Sequence, residues 1–170
     1  MKTKTPSRAS QIRLLVLDVD GVLTDGALVY GASGEETKRF HVRDGLAIQV
    51  ARRAGVEIAV VSGRASAAVT RRMSELGVVE VHQGVADKES LLRGLLARLG
   101  VKAAETAVMG DDLVDLPVMR IAGLAMAPAD AVPEVRRASG WVSRSAGGHG
   151  AVREAVEFLL RSRKAWPPRT

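Results

Sequence analysis

The sequence predicts an α/β fold in which helices cover both faces of a parallel β-sheet. Short apolar segments that suit buried strands recur along the 170 residues, and segments with helical patterns separate them. This alternation of strand and helix is typical of parallel sheets. Polar side chains stand where several of the apolar segments end, which is where such sheets bind their ligands. The sequence therefore predicts a functional site at one edge of the sheet.

The first predicted strand, residues 14–17, is an unbroken apolar run that leads into Asp18 and Asp20. On a strand these two aspartates would share one face. Two carboxylates that close repel each other unless a cation is near, and oxygen ligands favour a hard cation such as Mg²⁺. Taken alone, the pair could also begin a turn, because aspartate is a common turn residue.

A β-hairpin is expected next, over about residues 27–42, because two β-prone runs at residues 27–30 and 38–42 flank a glycine-containing turn. The later strands follow from further apolar runs. These runs lie at residues 56–61, 78–81, 106–109, 123–127 and 141–142.

The helices follow from apolar positions spaced for one helical face. They are expected over residues 46–54, 69–76, 88–99, 113–121, 132–138 and 151–160. Asp44 and Asp87 are plausible N-caps of the first and third helices, and Gly55, Gly77 and Gly100 are expected to end the first three.

Composition excludes several classes of protein. The chain contains no cysteine, so disulfides and thiolate metal sites are impossible. No apolar run approaches the ~20 residues that a membrane span needs, and residues 1–10 lack the apolar segment of a secretory signal. A cytoplasmic location is therefore expected.

The net charge of +6 is concentrated at the two ends of the chain. The residues responsible are Lys2, Lys4, Arg8, Arg13, Arg161, Arg163, Lys164 and Arg169. The body between them is slightly acidic, so nucleic-acid binding is not expected. The expected organisation is one domain over residues 12–160, with a basic flexible N-terminal tail at residues 1–11 and a basic C-terminal tail at residues 161–170.

Four expected strand ends would bring complementary groups to one edge of the sheet. They carry carboxylates, a hydroxyl, the ammonium of Lys88 and the N-termini of helices. Helix N-termini and an ammonium bind phosphate, and carboxylates bind a metal ion. Together these groups describe a site for phosphoryl transfer.

These residues resemble the four motifs of the haloacid dehalogenase superfamily of phosphatases in both order and spacing. The motifs are Asp18-x-Asp20, Ser62-Gly63-Arg64, Lys88 and Gly110-Asp111-Asp112-x-x-Asp115. The resemblance covers roughly residues 12–160 and implies a Rossmann-like parallel sheet. Within the superfamily the chain is similar to the capless phosphatases that act on 3-deoxy-D-manno-octulosonate 8-phosphate (KDO 8-phosphate). The extended segment at residues 18–26 and the segment Gly147-Gly148-His149-Gly150 carry this closer similarity.

The resemblance implies a role for each motif. Asp18 would be the nucleophile that forms an aspartyl-phosphate, and Asp20 the general acid and base. Mg²⁺ would be held by the Asp18 carboxylate, the Asp20 backbone carbonyl and Asp111. The remaining roles are binding of phosphate or substrate by Ser62, Gly63, Arg64 and Lys88, and orientation of the metal ligands or of Lys88 by Asp112 and Asp115.

Four of these residues have alternative interpretations that the sequence leaves open, and one of them is Asp115, which could be a surface residue of a helix. Ser62 could cap a helix, and Lys88 could be a solvated lysine, since a cation is poorly placed at a helix N-terminus. Arg64 could bind the substrate carboxylate or form a structural ion pair.

The chain has no room for an inserted cap domain, so an open site is expected. The resemblance implies a homotetramer in which hairpins pack together, and the apolar Leu28, Val29, Tyr30 and Phe40 favour residues 27–42 as the interface. The resemblance also implies a small phosphorylated sugar acid as the substrate and a role in lipopolysaccharide precursor synthesis. The alternatives are a phosphatase of a nonulosonate 9-phosphate, a phospho-receiver module or a non-catalytic scaffold.

Overall fold

Strand β1, Leu14–Leu17, lies at the centre of a six-stranded parallel sheet. The structure is a computed structural model, and it describes residues 8–168. The other strands are β2 (Val29–Tyr30), β3 (Glu36–Thr37), β4 (Glu57–Val61), β5 (Glu80–His82), β6 (Thr106–Met109), β7 (Leu124–Ala127) and β8 (Trp141–Val142). The sheet has the order β5-β4-β1-β6-β7-β8, and β2 pairs with β3 in a separate antiparallel hairpin.

Six α-helices flank the sheet in the described part of the chain. They are α1 (Val42–Arg53), α2 (Ala67–Glu75), α3 (Lys88–Leu99), α4 (Leu116–Ile121), α5 (Pro133–Ala138) and α6 (Ala151–Ser162). None of these helices is long and apolar enough to cross a membrane.

The side chains of β1 are all buried and point alternately into two apolar cores. Leu15 and Leu17 join the core that contains α1 and α6, whereas Leu14 and Val16 join the core that contains α3, α4 and α5. A strand buried on both faces explains why β1 is an unbroken apolar run. The structure thus confirms the predicted α/β sheet with helices on both faces.

The start of α1 differs from the sequence prediction. Asp44 was expected to cap a helix that begins at residue 46, but α1 begins at Val42 and Asp44 lies buried in its first turn. Its Oδ1 instead accepts a hydrogen bond of 2.7 Å from the backbone N–H of Arg153, in the first turn of α6. The aspartate therefore caps a distant helix, a role that its local sequence does not reveal.

Helix α3 has the predicted bounds and caps. The Asp87 side chain accepts a hydrogen bond from the Ser90 backbone N–H, and Gly100 ends the helix with φ +62°, in the left-handed region. The predicted helix over residues 113–121 is instead a 3₁₀ turn at Leu113–Asp115 followed by α4.

The second hairpin strand lies earlier in the chain than predicted. The Gly31 N–H donates to the Glu35 carbonyl at 2.9 Å, which closes the turn and sets Glu36 opposite Tyr30. Strand β3 is therefore Glu36–Thr37 rather than residues 38–42, and Lys38 follows the strand. The last residues of the predicted strand lead directly into α1.

The described parts of both expected tails pack against the domain. Ala9, in the expected N-terminal tail, is fully buried in the core, and the Trp166 ring packs on the same core beneath the Arg153 guanidinium. The Arg163 side chain donates to the Ile12 carbonyl. The packed region thus extends beyond the expected limits of 12 and 160, while residues 1–7 and 169–170 lie outside the described residues.

Candidate active site

The register of the sheet brings the predicted motifs to one edge. Leu17 pairs with Val60 on one side and with Met109 on the other, so three strands end at the same level. A cleft of about 290 Å³ opens at this edge, and every predicted site residue except Asp115 lines it. Gly21, Gly26 and Val114 complete its wall.

Lys88 joins two of the predicted motifs. Its Nζ lies 2.9 Å from Asp18 Oδ1 and 2.7 Å from Asp115 Oδ1. Only 8% of its side chain is exposed, so the interpretation of Lys88 as a solvated lysine is wrong. Burial lowers the pKa of Lys88, but the charges of Asp18 and Asp115 outweigh this effect and raise it overall. The ammonium therefore stays charged at the start of α3.

Asp115 also holds the loop that follows β6. Its Oδ2 accepts hydrogen bonds from the backbone N–H groups of Asp111, at 3.0 Å, and Asp112, at 3.4 Å. A Cβ on Gly110 would lie 2.4 Å from the Asp115 Cβ, so only glycine fits where the loop passes Asp115. One buried carboxylate thus positions both Lys88 and the loop that carries Asp111.

Three carboxylates form an electrostatically strained cluster in this part of the structure. Asp18, Asp111 and Asp115 each place an oxygen within 4.8 Å of the others. Burial, with the charge of Asp115, raises the pKa of Asp18 to about 6, although Lys88 opposes the shift. Burial and the charges of Asp18, Asp115 and Asp112 raise the pKa of Asp111 to about 8.

The donor set of this cluster suits a hard divalent cation. All its side-chain donors are carboxylate oxygens, which Mg²⁺ prefers, and a bound cation would relieve their repulsion. Both oxygens of Asp115 are engaged, one by Lys88 and the other by the loop, whereas Asp18 contacts Lys88 through Oδ1 alone. Asp18 and Asp111 are therefore the carboxylates with oxygens left for a cation. Gly21, with φ +80°, makes room for Asp111, because a Cβ there would lie 2.0 Å from Asp111 Oδ2.

Asp20 lies outside the carboxylate cluster and faces the hairpin. Its Oδ1 pairs with the Lys38 ammonium, and its Oδ2 lies 3.6 Å from Arg64 Nε. The predicted metal contact of this residue is its backbone carbonyl, so the side chain is available for a separate role. Sequence reasoning did not single out Lys38, which looked like an ordinary lysine in a hairpin strand. A lone lysine there carries no local signal of its contact with Asp20.

Arg64 forms ion pairs while still lining the cleft. Its guanidinium lies 2.6 Å from Glu36 Oε2 and 3.4 Å from the Tyr30 hydroxyl, both on the hairpin. This geometry matches the structural ion pair that the sequence left open as an alternative.

The Ser62 hydroxyl supports a tight turn rather than a helix. Ser62 is buried, and its Oγ accepts a hydrogen bond of 3.2 Å from the Arg64 backbone N–H. Helix α2 begins only at Ala67, so Ser62 is not its cap. Asp112, by contrast, does act as a cap: its side chain accepts from the Leu113 N–H at 2.7 Å at the start of the 3₁₀ turn.

The glycine-rich loop before α6 supports the loop that carries Asp20 from behind. The Gly148 N–H donates to the Val22 carbonyl at 3.0 Å. A Cβ on Gly147 would lie 1.7 Å from the Gly21 carbonyl oxygen, so the two backbones approach too closely for any side chain. This close contact explains why glycine is needed at Gly147, although this residue is far along the chain from Gly21.

The nucleophile-like aspartate at a strand end, the buried lysine and the distal acidic loop define a class of hydrolase. A sequence profile of the haloacid dehalogenase-like hydrolases matches residues 70–155, and the chain belongs to that family. More particularly, the chain is similar to the KDO 8-phosphate phosphatase of Salmonella typhi, with 43% identity over 94% of this chain and 85% of the relative.

Solved structures agree with this similarity. The KDO 8-phosphate phosphatase of Moraxella catarrhalis, in complex with a magnesium ion, a phosphate ion and KDO, matches with a TM-score of 0.92 and 39% identity. The match covers 95% of this chain and 92% of that one. The cobalt-bound phosphatase of Haemophilus influenzae matches with a TM-score of 0.90 and 40% identity, over 94% and 95% of the two chains.

Proposed function

We propose that this protein is a Mg²⁺-dependent phosphatase that hydrolyses KDO 8-phosphate to KDO and inorganic phosphate. The observation that carries the proposed chemistry is the placement of Asp18, which ends the central strand between the Lys88 ammonium and the Asp111 carboxylate. The substrate is supported by the similarity to KDO 8-phosphate phosphatases over nearly the whole chain.

In the first step, an Asp18 carboxylate oxygen attacks phosphorus and the bond between phosphorus and the sugar oxygen breaks. Asp20 gives its proton to the departing sugar oxygen, so the sugar leaves as the neutral alcohol. In the second step, Asp20 takes a proton from a water molecule, which attacks phosphorus and releases phosphate from Asp18. Both carboxyl groups return to their starting states.

The other residues of the cleft would stabilise this transfer. Asp18, Asp111 and the Asp20 backbone carbonyl would hold Mg²⁺. Once bound, the cation would neutralise charge where an anionic carboxylate meets an anionic phosphate. Ser62 and Lys88 would bind phosphate oxygens, with Gly63 letting the turn lie close to them. Asp115 would hold Lys88 in place, and Arg64, which lines the cleft, would contact the substrate.

We also propose a homotetramer whose interface includes the hairpin. Leu28, Val29 and Tyr30 are exposed large apolar side chains on this small projection, and a second copy of the chain could cover them. Sedimentation should give a tetramer at micromolar concentration, and Val29→Asp should dissociate it. A monomeric wild type would refute this part of the proposal.

A cytoplasmic location, where the product would enter lipopolysaccharide precursor synthesis, is tested by cell fractionation.

The central experiment is phosphate release from three substrates, each with Mg²⁺ and with a chelator. The substrates are KDO 8-phosphate, a nonulosonate 9-phosphate and glucose 6-phosphate. We expect KDO 8-phosphate to be preferred, the chelator to abolish turnover and Asp18→Asn to be inactive. Glu89→Gln is the matched control, because Glu89 follows Lys88 in α3 but pairs with Arg93 and does not line the cleft. Preference for another substrate would refute the KDO 8-phosphate assignment, and turnover by Asp18→Asn would refute the nucleophile.

A further inference from the structure

A lysine of the hairpin is buried beside the active site. Only 1% of the Lys38 side chain is exposed, although the residue follows the short second strand of a hairpin that is separate from the main sheet. Its Nζ pairs with Asp20 Oδ1 and lies 3.2 Å from Glu36 Oε1. Burying an ammonium is costly unless carboxylates compensate it, so these two contacts determine where the side chain can lie.

Lys38 belongs to a closed ring of four alternating charges. The ring runs from Lys38 to Asp20, from Asp20 to Arg64, from Arg64 to Glu36 and back to Lys38. We call these four residues the charge ring. Two of them come from the hairpin, one from the loop after β1 and one from the turn after β4, so the ring ties three separate segments together.

The two oxygens of Asp20 are held differently within the charge ring. Lys38 Nζ donates to Oδ1, whereas Arg64 Nε lies 3.6 Å from Oδ2, beyond hydrogen-bond distance. Arg64 is also 45% exposed, so solvent screens its attraction to Asp20. Lys38 is therefore the group that orients the carboxyl, and Oδ2, which has only the longer ion pair with Arg64, is the oxygen that remains for proton transfer.

We infer that Lys38 is a positioning residue that holds Asp20 Oδ1, so that Oδ2 carries the proton exchanged with the leaving group and with water. Lys38 is not among the residues that line the cleft, so it acts through Asp20 rather than on the substrate. This inference rests on the proposed function, because it assumes that Asp20 transfers protons. It gives the hairpin a part in the chemistry of its own chain.

The test compares leaving groups that differ in their need for a proton. The sugar oxygen of KDO 8-phosphate must be protonated as it leaves, whereas the dinitrophenolate of 2,4-dinitrophenyl phosphate leaves without a proton. For Lys38→Met we expect kcat on KDO 8-phosphate to fall roughly 100-fold, the size of effect that a misplaced catalytic group produces. KM should change less than about twofold, and the first-turnover release of dinitrophenolate should stay within about threefold of the wild type.

Two further variants distinguish positioning from a general structural role. Arg39→Met alters the next residue, whose side chain is 74% exposed and pairs with Asp25, and it should leave both rates unchanged. Lys38→Arg keeps the charge and should restore part of kcat on KDO 8-phosphate. If thermal unfolding shows that Lys38→Met is not folded, Lys38→Arg decides the question. The ratio of its rate on KDO 8-phosphate to its rate on 2,4-dinitrophenyl phosphate should fall below that of the wild type, by less than the fall expected for Lys38→Met.

Three results would overturn the inference. One is an equal loss of first-turnover rate with both leaving groups, another is an unchanged kcat on KDO 8-phosphate, and the third is an equal loss in Arg39→Met. A wild type that does not hydrolyse KDO 8-phosphate would instead refute the proposed substrate. Lys38 would then be judged by the same comparison on whichever alkyl phosphate the wild type hydrolyses.

Discussion

The Lys88 ammonium lies 2.7 Å from Asp115 Oδ1, in a buried ion pair that stands behind the proposed nucleophile. The other oxygen of Asp115 accepts backbone hydrogen bonds from the loop that carries Asp111. Asp115 thus connects the two sides of the cleft without lining it. Loss of this carboxylate should affect both the stability of the fold and the geometry of the site.

Asp115→Ala should lower the free energy of unfolding by about 2–3 kcal/mol. A broken buried pair usually costs ~3–5 kcal/mol, but Lys88 keeps its contact with Asp18. We expect kcat to fall roughly 100-fold, because Lys88 and Asp111 lose their support. Urea unfolding and phosphate release measure the two effects. Asp112→Ala, whose side chain is exposed, should cost less than about 1 kcal/mol, and equal costs for both variants would contradict the role of Asp115.

Mg²⁺ should stabilise the protein more at pH 8 than at pH 6. The pKa values of Asp18 and Asp111 are raised to about 6 and about 8 from the ordinary 3.8, so the cation-free folded protein binds more protons than the unfolded chain. These groups therefore contribute most to the free energy of unfolding at low pH, and their contribution falls as the pH rises from 3.8 to about 8. At pH 6 protons already relieve much of the repulsion, whereas at pH 8 Mg²⁺ must do so.

Thermal unfolding with and without Mg²⁺ at the two pH values measures this difference. Asp111→Asn removes the group with the larger shift and should reduce the dependence on pH. A stabilisation by Mg²⁺ that is equal at pH 6 and pH 8 would show that the cation does not bind at this cluster.

Asp44→Ala should destabilise the fold by removing the cap of α6. The Asp44 side chain accepts from the Arg153 N–H across 109 positions of the sequence. Loss of an N-cap costs ~1 kcal/mol, with ~2 kcal/mol as the upper end, and Asp44→Asn keeps an acceptor and should cost less. Asp87→Ala, which removes the local cap of α3, is the matched control for a capping loss. Urea unfolding of the three variants measures these costs. An Asp44→Ala variant with the same free energy of unfolding as the wild type would contradict the prediction.

Gly147→Ala should reduce activity sharply even though Gly147 does not line the cleft. Its Cβ would lie 1.7 Å from the Gly21 carbonyl oxygen, so the loop that carries Asp20 must move. We expect kcat to fall at least roughly tenfold. Gly94→Ala is the matched control: beyond its own stretch of helix, no atom of the described residues would lie within 4 Å of the added Cβ, and in α3 the change should stabilise by about 0.5–1 kcal/mol with kcat unchanged. Equal kcat in the two variants would contradict the close packing of the loops.

The sequence predicted a helix most accurately where its apolar positions and its capping residues indicate the same bounds. Helix α3 has the predicted bounds because its apolar stripe, its cap at Asp87 and its stop at Gly100 are all local signals. The predicted start of α1 was wrong because the Asp44 side chain accepts a hydrogen bond from the N-terminus of α6 and does not cap its own helix. The predicted position of the second hairpin strand was wrong because the hydrogen bond between Gly31 and Glu35 sets the pairing of the two strands. Residue preference alone does not specify that register.

The sequence by itself determined the parallel sheet, the edge at which the candidate active site lies and the residues that meet there. It could do so because apolar strands have a local signature, and parallel strands must bring their carboxyl ends together. Only the tertiary structure decided that Lys88 is buried between Asp18 and Asp115, that Lys38 holds Asp20 and that Asp44 caps α6. Each of these contacts joins residues far apart in the chain, and a charged side chain reveals its partner only once packing has removed it from water.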